Sequence, residues 1–98
     1  MEGSVLALPS RELLRVLSAL SDENRFRIVV LLSEEKCALS SGAVGAALGL
    51  SPSLVSHHLS ILESAGVVDR RKDGLCTMNA LRREILRRHL AILSSLCE

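Results

Sequence analysis

Residues 51–62 constrain the fold of this chain more than any other segment. Ser51 can accept hydrogen bonds from the free amides of a first helical turn, and Pro52 fits the first helical position because its missing N–H costs nothing there. Apolar residues then recur at helical spacing and predict a buried stripe, which comprises Leu54, Val55, Leu59 and Leu62. The opposite face carries short polar side chains, which would let the helix lie deep in a DNA major groove against base edges.

The residues before this helix predict a shorter helix and a tight turn. Gly49 stands where a left-handed residue would end that helix, and Gly45 is small enough to let the two helices cross closely. Each signal is weak alone, but their combination with the Ser-Pro helix start is fairly specific. Together they predict a helix-turn-helix over residues 41–65, with Ser41 as the cap of its first helix.

The spacing of the apolar residues changes after Gly66, which fits a left-handed helix end. Residues 67–79 contain two short strand candidates around a turn at 72–74 and predict a two-stranded hairpin, a wing. Residues 82–97 return to helical spacing with two adjacent apolar stripes, which suit a dimer interface. We assign that interface to Leu86, Leu90, Leu93 and Cys97.

All 98 residues are predicted to form one domain, mainly α, with about five helices and the small β-hairpin. Residues 1–9 are expected to be a flexible arm, followed by helices capped at Ser10 and at Ser21 or Asp22. A hydrophobic content of 48% and a mean hydropathy of +0.33 favour a homodimer, because so much apolar surface needs a second copy to cover it. The predicted fold is therefore a homodimeric winged helix-turn-helix.

Composition narrows the class of function. A single aromatic residue, Phe26, disfavours a reader of single strands, which stacks bases on aromatic rings. The net charge of +1 is uninformative, but Arg70, Arg71 and Lys72 concentrate positive charge on the wing. No catalytic constellation is recognisable, so an enzyme is not expected. The absence of a secretory signal or long apolar run, with three widely spaced cysteines, predicts a cytoplasmic protein without a membrane partner.

From Leu17 to about Leu81 the chain resembles the arsenic-repressor-like (ArsR) family of bacterial winged-helix repressors. The resemblance rests on Leu-Ser-Asp-Glu-Asn-Arg-Phe-Arg-Ile at residues 20–28, on the helix and wing entry at 47–68, and on Arg-Arg-Lys-Asp-Gly at 70–74. It implies a homodimer that represses its own operon and releases its DNA when an inducer binds.

The family's inducer sites transfer poorly to this chain. The two cysteines of its arsenic site correspond to Ser40 and Gly42, and its zinc site in the last helix would retain only His89. A pair of cysteines that senses persulfides in some members would include Cys97, but Val30 occupies the place of the other cysteine.

Two interpretations of the cysteines stay open. Trivalent arsenic, antimony or another soft metal takes two or three thiolates, and a dimer could bring Cys37, or alternatively Cys76, of one chain near Cys97 of the other. Alternatively, the cysteines are small hydrophobic residues, with Cys76 packed inside the wing strand and Cys97 inside the dimer interface.

The sequence thus predicts a repressor that binds a palindromic double-stranded operator and is released by a thiophilic or thiol-reactive inducer. The expected DNA contacts are Ser51, Ser53, Ser56, His57, Ser60, Arg70, Arg71 and Lys72. His58 is interpreted either as a partly buried packing residue or as a DNA contact. The alternatives are a winged-helix regulator without a metal site and a protein-interaction module that reuses the fold.

Overall fold

The computed structural model describes residues 4–98, with side chains from Arg11 onward. Over these residues the order of elements is α1 (Ser4–Leu20), α2 (Glu23–Ser33), β1 (Leu39–Ser40), α3 (Ser41–Leu48), α4 (Pro52–Ser64), β2 (Val68–Asp73), β3 (Cys76–Leu81) and α5 (Arg83–Ser95). This is a winged helix-turn-helix. None of the helices in this part of the chain has the length and apolar character needed to cross a membrane.

The first helix begins earlier than predicted. α1 starts at Ser4, so the expected arm over 1–9 is wrong from that residue onward, while residues 1–3 lie outside the described part of the chain. Residues 5–8 are Val, Leu, Ala and Leu, of which leucine and alanine are strong helix formers.

Side-chain caps begin α2 and α3. The Asp22 carboxylate accepts from the amide of Arg25 at 3.1 Å, which confirms one of the two predicted caps. The Ser40 hydroxyl accepts from the amide of Ala43 at 3.0 Å, so α3 is capped by Ser40 and not by the predicted Ser41. Ser40 has the extended backbone that a cap requires, whereas Ser41 is already helical.

The wing is a three-stranded antiparallel sheet in the order β1-β3-β2, where a two-stranded hairpin was predicted. The additional strand, β1, lies in the segment before α3 and pairs Leu39 with Asn79 of the central strand. On the other side of β3, Arg70 of β2 pairs with the same asparagine. Leu39, Asn79 and Arg70 therefore form one row across the three strands.

The turn of the wing lies further along the chain than expected. β2 continues to Asp73, which pairs with Cys76, so the turn consists of Gly74 and Leu75 and not of residues 72–74. Gly74 has a φ of +65° and occupies the first central position of the turn, where glycine adopts a left-handed backbone at no steric cost. The leucine at the tip is fully exposed.

The core lies between the helices and the sheet. Its most deeply buried apolar residues are Ile28, Val44, Val55, Leu59, Leu62, Val67 and Val68. The buried stripe of α4 differs from the prediction at one position, because Leu54 is 37% exposed and His58 is buried in its place. Val55, His58, Leu59 and Leu62 follow the spacing of one helix face, and Leu54 lies one residue off it.

The helices α1 and α5 leave an apolar surface uncovered. Between them lies a groove of about 290 Å³, which we call the α1–α5 groove; it is lined by Leu13, Val16, Leu17, Leu20, Leu86, Arg87, His89, Leu90 and Leu93. Of the predicted interface residues, Leu86 and Leu93 are half-buried, while Leu90 and Cys97 are exposed. The buried His89 has no hydrogen-bond partner for Nδ1 among the described residues.

Candidate nucleic-acid interface

Local signals fix the ends of the two helices of the helix-turn-helix. Gly49 ends α3 with a φ of +71°, in the left-handed region that favours glycine. The Ser51 hydroxyl accepts from the amide of Leu54 at 3.3 Å, and Pro52 occupies the first position of α4. The predicted cap, proline and glycine are all confirmed.

The crossing of α3 over α4 depends on Gly45, which is buried. A Cβ at this position would lie 3.0 Å from the carbonyl oxygen of Leu50 and 3.2 Å from Cγ2 of Val55. Both distances are tighter than ordinary van der Waals contact. The predicted close approach of α3 and α4 is therefore present, and it fixes the position of α4 against α3.

One face of α4 presents a stripe of short polar side chains to solvent. We call it the polar stripe; it consists of Ser53, Ser56, His57 and Ser60, all of which are exposed. The last three positions lie three, four and seven residues after Ser53, so the four side chains lie on one side of the helix. Ser51 is exposed at the start of the helix. The stripe carries donors and acceptors without long side chains that would hold it away from a base edge.

The opposite face of α4 is anchored through His58, only 6% of which is exposed. Nη1 of Arg25 lies 3.2 Å from Nδ1 of His58, and Nε of the same arginine donates to the carbonyl of Ala19 at 2.7 Å. Because a guanidinium only donates, Nδ1 accepts and the proton of neutral His58 is on Nε2. That nitrogen lies 3.9 Å from the Asp22 carboxylate. His58 is therefore a packing residue that ties α4 to α2.

The same cluster perturbs the carboxyl group of Asp22. The hydrogen bond from the Arg25 amide holds the pKa of Asp22 below its ordinary value, against an opposing effect of partial burial. The positive charge of Arg25 lowers it further. The capping carboxylate of α2 thus keeps its charge, which suits the positive end of a helix.

On the wing, Arg70 is held by two residues and only half exposed. Its Nε donates to Oδ1 of Asn79 at 3.0 Å, and its Nη1 donates to the hydroxyl of Ser60 at 3.2 Å. The guanidinium therefore bridges the wing and the end of the polar stripe. Sequence reasoning missed Asn79, although a polar residue between Met78 and Ala80 in a strand was a usable signal.

The two other basic residues of the wing are not held in this way. The side chain of Arg71 is 80% exposed and lies 3.9 Å from Asp69, and Lys72 is also exposed. An ion pair as exposed as this one contributes little to stability. Both cations are thus available to a polyanion, while Arg70 is fixed in place.

All three cysteines are exposed. The interpretation that Cys76 packs inside the wing strand is therefore wrong, because β3 begins beside the turn, beyond the reach of the core. Cys97 follows the end of α5 and is likewise uncovered within one protomer. Within residues 4–98, no three side chains of His, Cys, Asp or Glu are placed to hold a metal ion.

Comparison with known proteins identifies the family. A sequence profile of the bacterial regulatory proteins of the arsR family matches residues 22–70, which include α2, the helix-turn-helix and the start of the wing. The chain belongs to the ArsR family. Members of this family are transcriptional regulators, a class of proteins that are generally not enzymes.

Individual relatives agree with this assignment. A protein of Halobacterium salinarum named as an arsenical resistance operon repressor, ArsR, is 45% identical over 62 residues, which are 60% of this chain and 46% of that protein. This chain thus spans about half the length of that relative. An ArsR-like transcriptional regulator from Rhodococcus sp. RHA1 superimposes with a TM-score of 0.79 at 26% identity, over 90% of this chain and 81% of the other.

A third comparison concerns the fold alone, since its sequence identity is 22%. The homodimeric winged helix-turn-helix DNA-binding domain of a Mycobacterium bovis protein matches with a TM-score of 0.76, over all of this chain and 90% of the other. The winged helix-turn-helix of this ArsR-family chain is therefore shared with a domain that forms homodimers.

Proposed function

We propose that this ArsR-family regulator is a dimeric repressor that reads a palindromic operator with α4 and contacts the DNA backbone with its wing. The observation that carries the proposal is the exposed polar stripe of α4, which ends at the guanidinium of Arg70. Short hydroxyl and imidazole groups can donate to or accept from base edges in the major groove. The exposed Arg71 and Lys72 supply charge for phosphate contacts.

Dimerisation follows from the surface of α1 and α5. Leu14 and Leu90 are 63% and 66% exposed, and both belong to helices that flank the α1–α5 groove. A second copy would cover these side chains and place two copies of α4 on one side of the assembly. Such a dimer binds two half-sites that are related by a twofold axis, so the proposed operator is palindromic.

Substitutions can test whether α4 recognises the bases while the wing contacts the phosphates. Ser56→Ala or His57→Ala should lower affinity for the operator about tenfold and leave binding to random duplex nearly unchanged, because each removes a base contact. Arg71→Ala should weaken both duplexes alike and reduce the slope of log affinity against log salt by about one unit, because one phosphate contact is lost. Fluorescence anisotropy across a salt series, with an operator selected from random duplexes, measures both effects.

Uniform loss of affinity in all three variants would contradict the assignment of α4 to base recognition. If the wild-type protein bound no duplex in a salt-sensitive, sequence-dependent way, the protein-interaction alternative would replace the proposed function. The fold is common to both hypotheses, so only the binding measurement separates them.

The proposal includes release by an inducer that reacts with or binds to thiolates. Cys37 and Cys97 are exposed, and Cys37 lines a cavity of about 470 Å³ together with Arg71 and Lys72 of the wing. A metalloid captured there would lie beside charges assigned to DNA contact. Because one protomer lacks a three-ligand cluster within its described residues, a site of three thiolates would draw on both chains.

Operator release by arsenite, antimonite or a persulfide donor should be lost in Cys97→Ser and reduced in Cys37→Ser. Cys97 lies at the end of the helix assigned to the dimer interface, so a ligand there can change the angle between subunits. Cys76→Ser is the control, and its response should match the wild type. A wild type that responds to none of these reagents would favour the alternative of a regulator without a metal site.

A further inference from the structure

We infer that Asn79 is a positioning residue of the DNA-binding surface, because it fixes Arg70 at the junction of wing and α4 so that the guanidinium can meet a backbone phosphate. The inference rests on the proposed function and assigns a new role within that same surface. Asn79 would touch no DNA itself. Its effect would pass through the arginine that it holds.

The orientation of the Asn79 side chain is determined by its surroundings. The residue is fully buried in the central strand, and its Nδ2 donates to the carbonyl of Leu39 at 3.0 Å, the hydroxyl of Ser41 at 3.1 Å and the carbonyl of Thr77 at 3.3 Å. The reverse orientation would set Oδ1 against two carbonyl oxygens and Nδ2 against the Nε–H of Arg70. Only the observed orientation matches donors with acceptors, so Oδ1 must face the arginine.

The guanidinium of Arg70 is consequently constrained at two of its nitrogens. The bond from Nε to Asn79 is partly buried, while the bond from Nη1 to Ser60 is exposed. Among the described residues, Nη2 has no hydrogen-bond partner. Ser60 is the last residue of the polar stripe, so the remaining N–H groups of the arginine, including both on Nη2, lie where a groove would meet its flanking phosphate. An arginine that is already ordered loses less side-chain freedom on binding.

The neighbouring Arg71 provides the contrast that identifies a positioning role. It carries the same charge on the same strand, but its side chain is 80% exposed and its ion pair with Asp69 is also exposed. If only the number of positive charges mattered, the two arginines would be equivalent. Of the two arginines, only Arg70 is hydrogen-bonded to the buried amide of Asn79, whose other three hydrogen bonds hold that amide in place.

The test is a double-mutant cycle between Asn79 and Arg70, with Arg71 as the matched control. Asn79→Ala should lower operator affinity roughly tenfold, which corresponds to one charge-assisted hydrogen bond, and reduce the salt slope by up to about one unit although no charge is removed. In an Arg70→Ala background the same substitution should have no further effect on affinity or slope. In an Arg71→Ala background its full effect should remain.

Two further measurements separate positioning from a folding defect. Ser60→Ala removes the second anchor of Arg70 at an exposed site and should leave thermal stability unchanged. Because Ser60 is also assigned to base recognition, the anchor is measured by the part of its effect on the salt slope that disappears in an Arg70→Ala background. NMR of the DNA-free protein should show faster exchange of the Arg70 Nε–H in Asn79→Ala than in the wild type.

An Asn79 effect that persists in full without Arg70, or an unchanged salt slope, would overturn the inference while leaving the proposed function intact. An unchanged exchange rate of the Arg70 Nε–H would overturn it independently of DNA. If the wild type bound no duplex at all, the proposed function itself would fail, and this assignment would fail with it.

Discussion

Replacing both Leu90 and Leu93 of α5 with aspartate should yield monomers and lower operator affinity by about 10²–10⁴-fold, the advantage that two linked half-sites give. Leu90 is 66% exposed, Leu93 is half-buried, and both line the α1–α5 groove. Full burial of an exposed leucine contributes about 1.5–3 kcal/mol, so covering Leu90 contributes most of that and covering the half-buried Leu93 contributes less. An unpaired carboxylate in the same place is strongly unfavourable. Light scattering measures the mass of the assembly, and fluorescence anisotropy measures its affinity for the operator.

The control for the change in mass is Leu75→Asp, which is compared by light scattering alone because the wing is assigned to DNA contact. Leu75 lies at the tip of the wing and is 102% exposed, so the same chemical change there should leave the dimer intact. Circular dichroism of all variants would separate loss of assembly from loss of folding. A dimeric Leu90→Asp, Leu93→Asp variant would show that the interface lies elsewhere on the molecule.

The helix-turn-helix could be predicted from the sequence because each of its signals acts over a few residues. The Ser51 cap bonds to an amide three positions away, and Gly49 needs only its own backbone angle. Gly45 meets Leu50 and Val55, which are also near in sequence. Interactions of such short range produce a recognisable sequence pattern, so α4 and its polar stripe could be located from the sequence alone.

The third strand and the Asn79 cluster could not be predicted in the same way. β1 has two residues, too few to show the alternation that identifies a strand, and its partner in β3 lies 40 positions further along the chain. Whether a buried asparagine is satisfied depends on which backbone groups surround it. That information appears only after the sheet has formed, which is why the sequence pattern could not distinguish Arg70 from Arg71 and Lys72.

The misplacement of Leu54 has a related cause, and so does the burial of His58, which the sequence left open between packing and DNA contact. Adjacent residues on a helix are separated by about 100°, so an apolar pattern locates a buried stripe only to within one position. Hydrophobicity favoured Leu54 for the interior. His58 is buried instead because Arg25, 33 residues earlier, supplies a hydrogen-bond partner and Asp22 lies nearby.

A comparison of Gly45→Ala with Gly42→Ala should show how strongly the crossing of α3 and α4 depends on the absence of a side chain at Gly45. Gly45→Ala should destabilise the protein by about 1–3 kcal/mol, because a Cβ 3.0 Å from the Leu50 carbonyl oxygen forces the backbone of the turn to move. A Cβ added at Gly42, in the same helix, would meet only the Ser40 hydroxyl oxygen, at 3.9 Å, apart from its chain neighbours and the backbone of its own helix. Its substitution should be neutral or stabilise by up to about 1 kcal/mol, the gain in helix propensity.

Urea unfolding of the two variants gives both free energies, and operator binding under conditions where each is folded gives the functional consequence. Since the displaced backbone leads directly into α4, Gly45→Ala should also reduce operator affinity more than it reduces affinity for random duplex. Gly42→Ala should bind both duplexes like the wild type. Equal stability of the two variants would mean that α3 and α4 can separate without cost, and the close crossing would then have no part in holding the polar stripe.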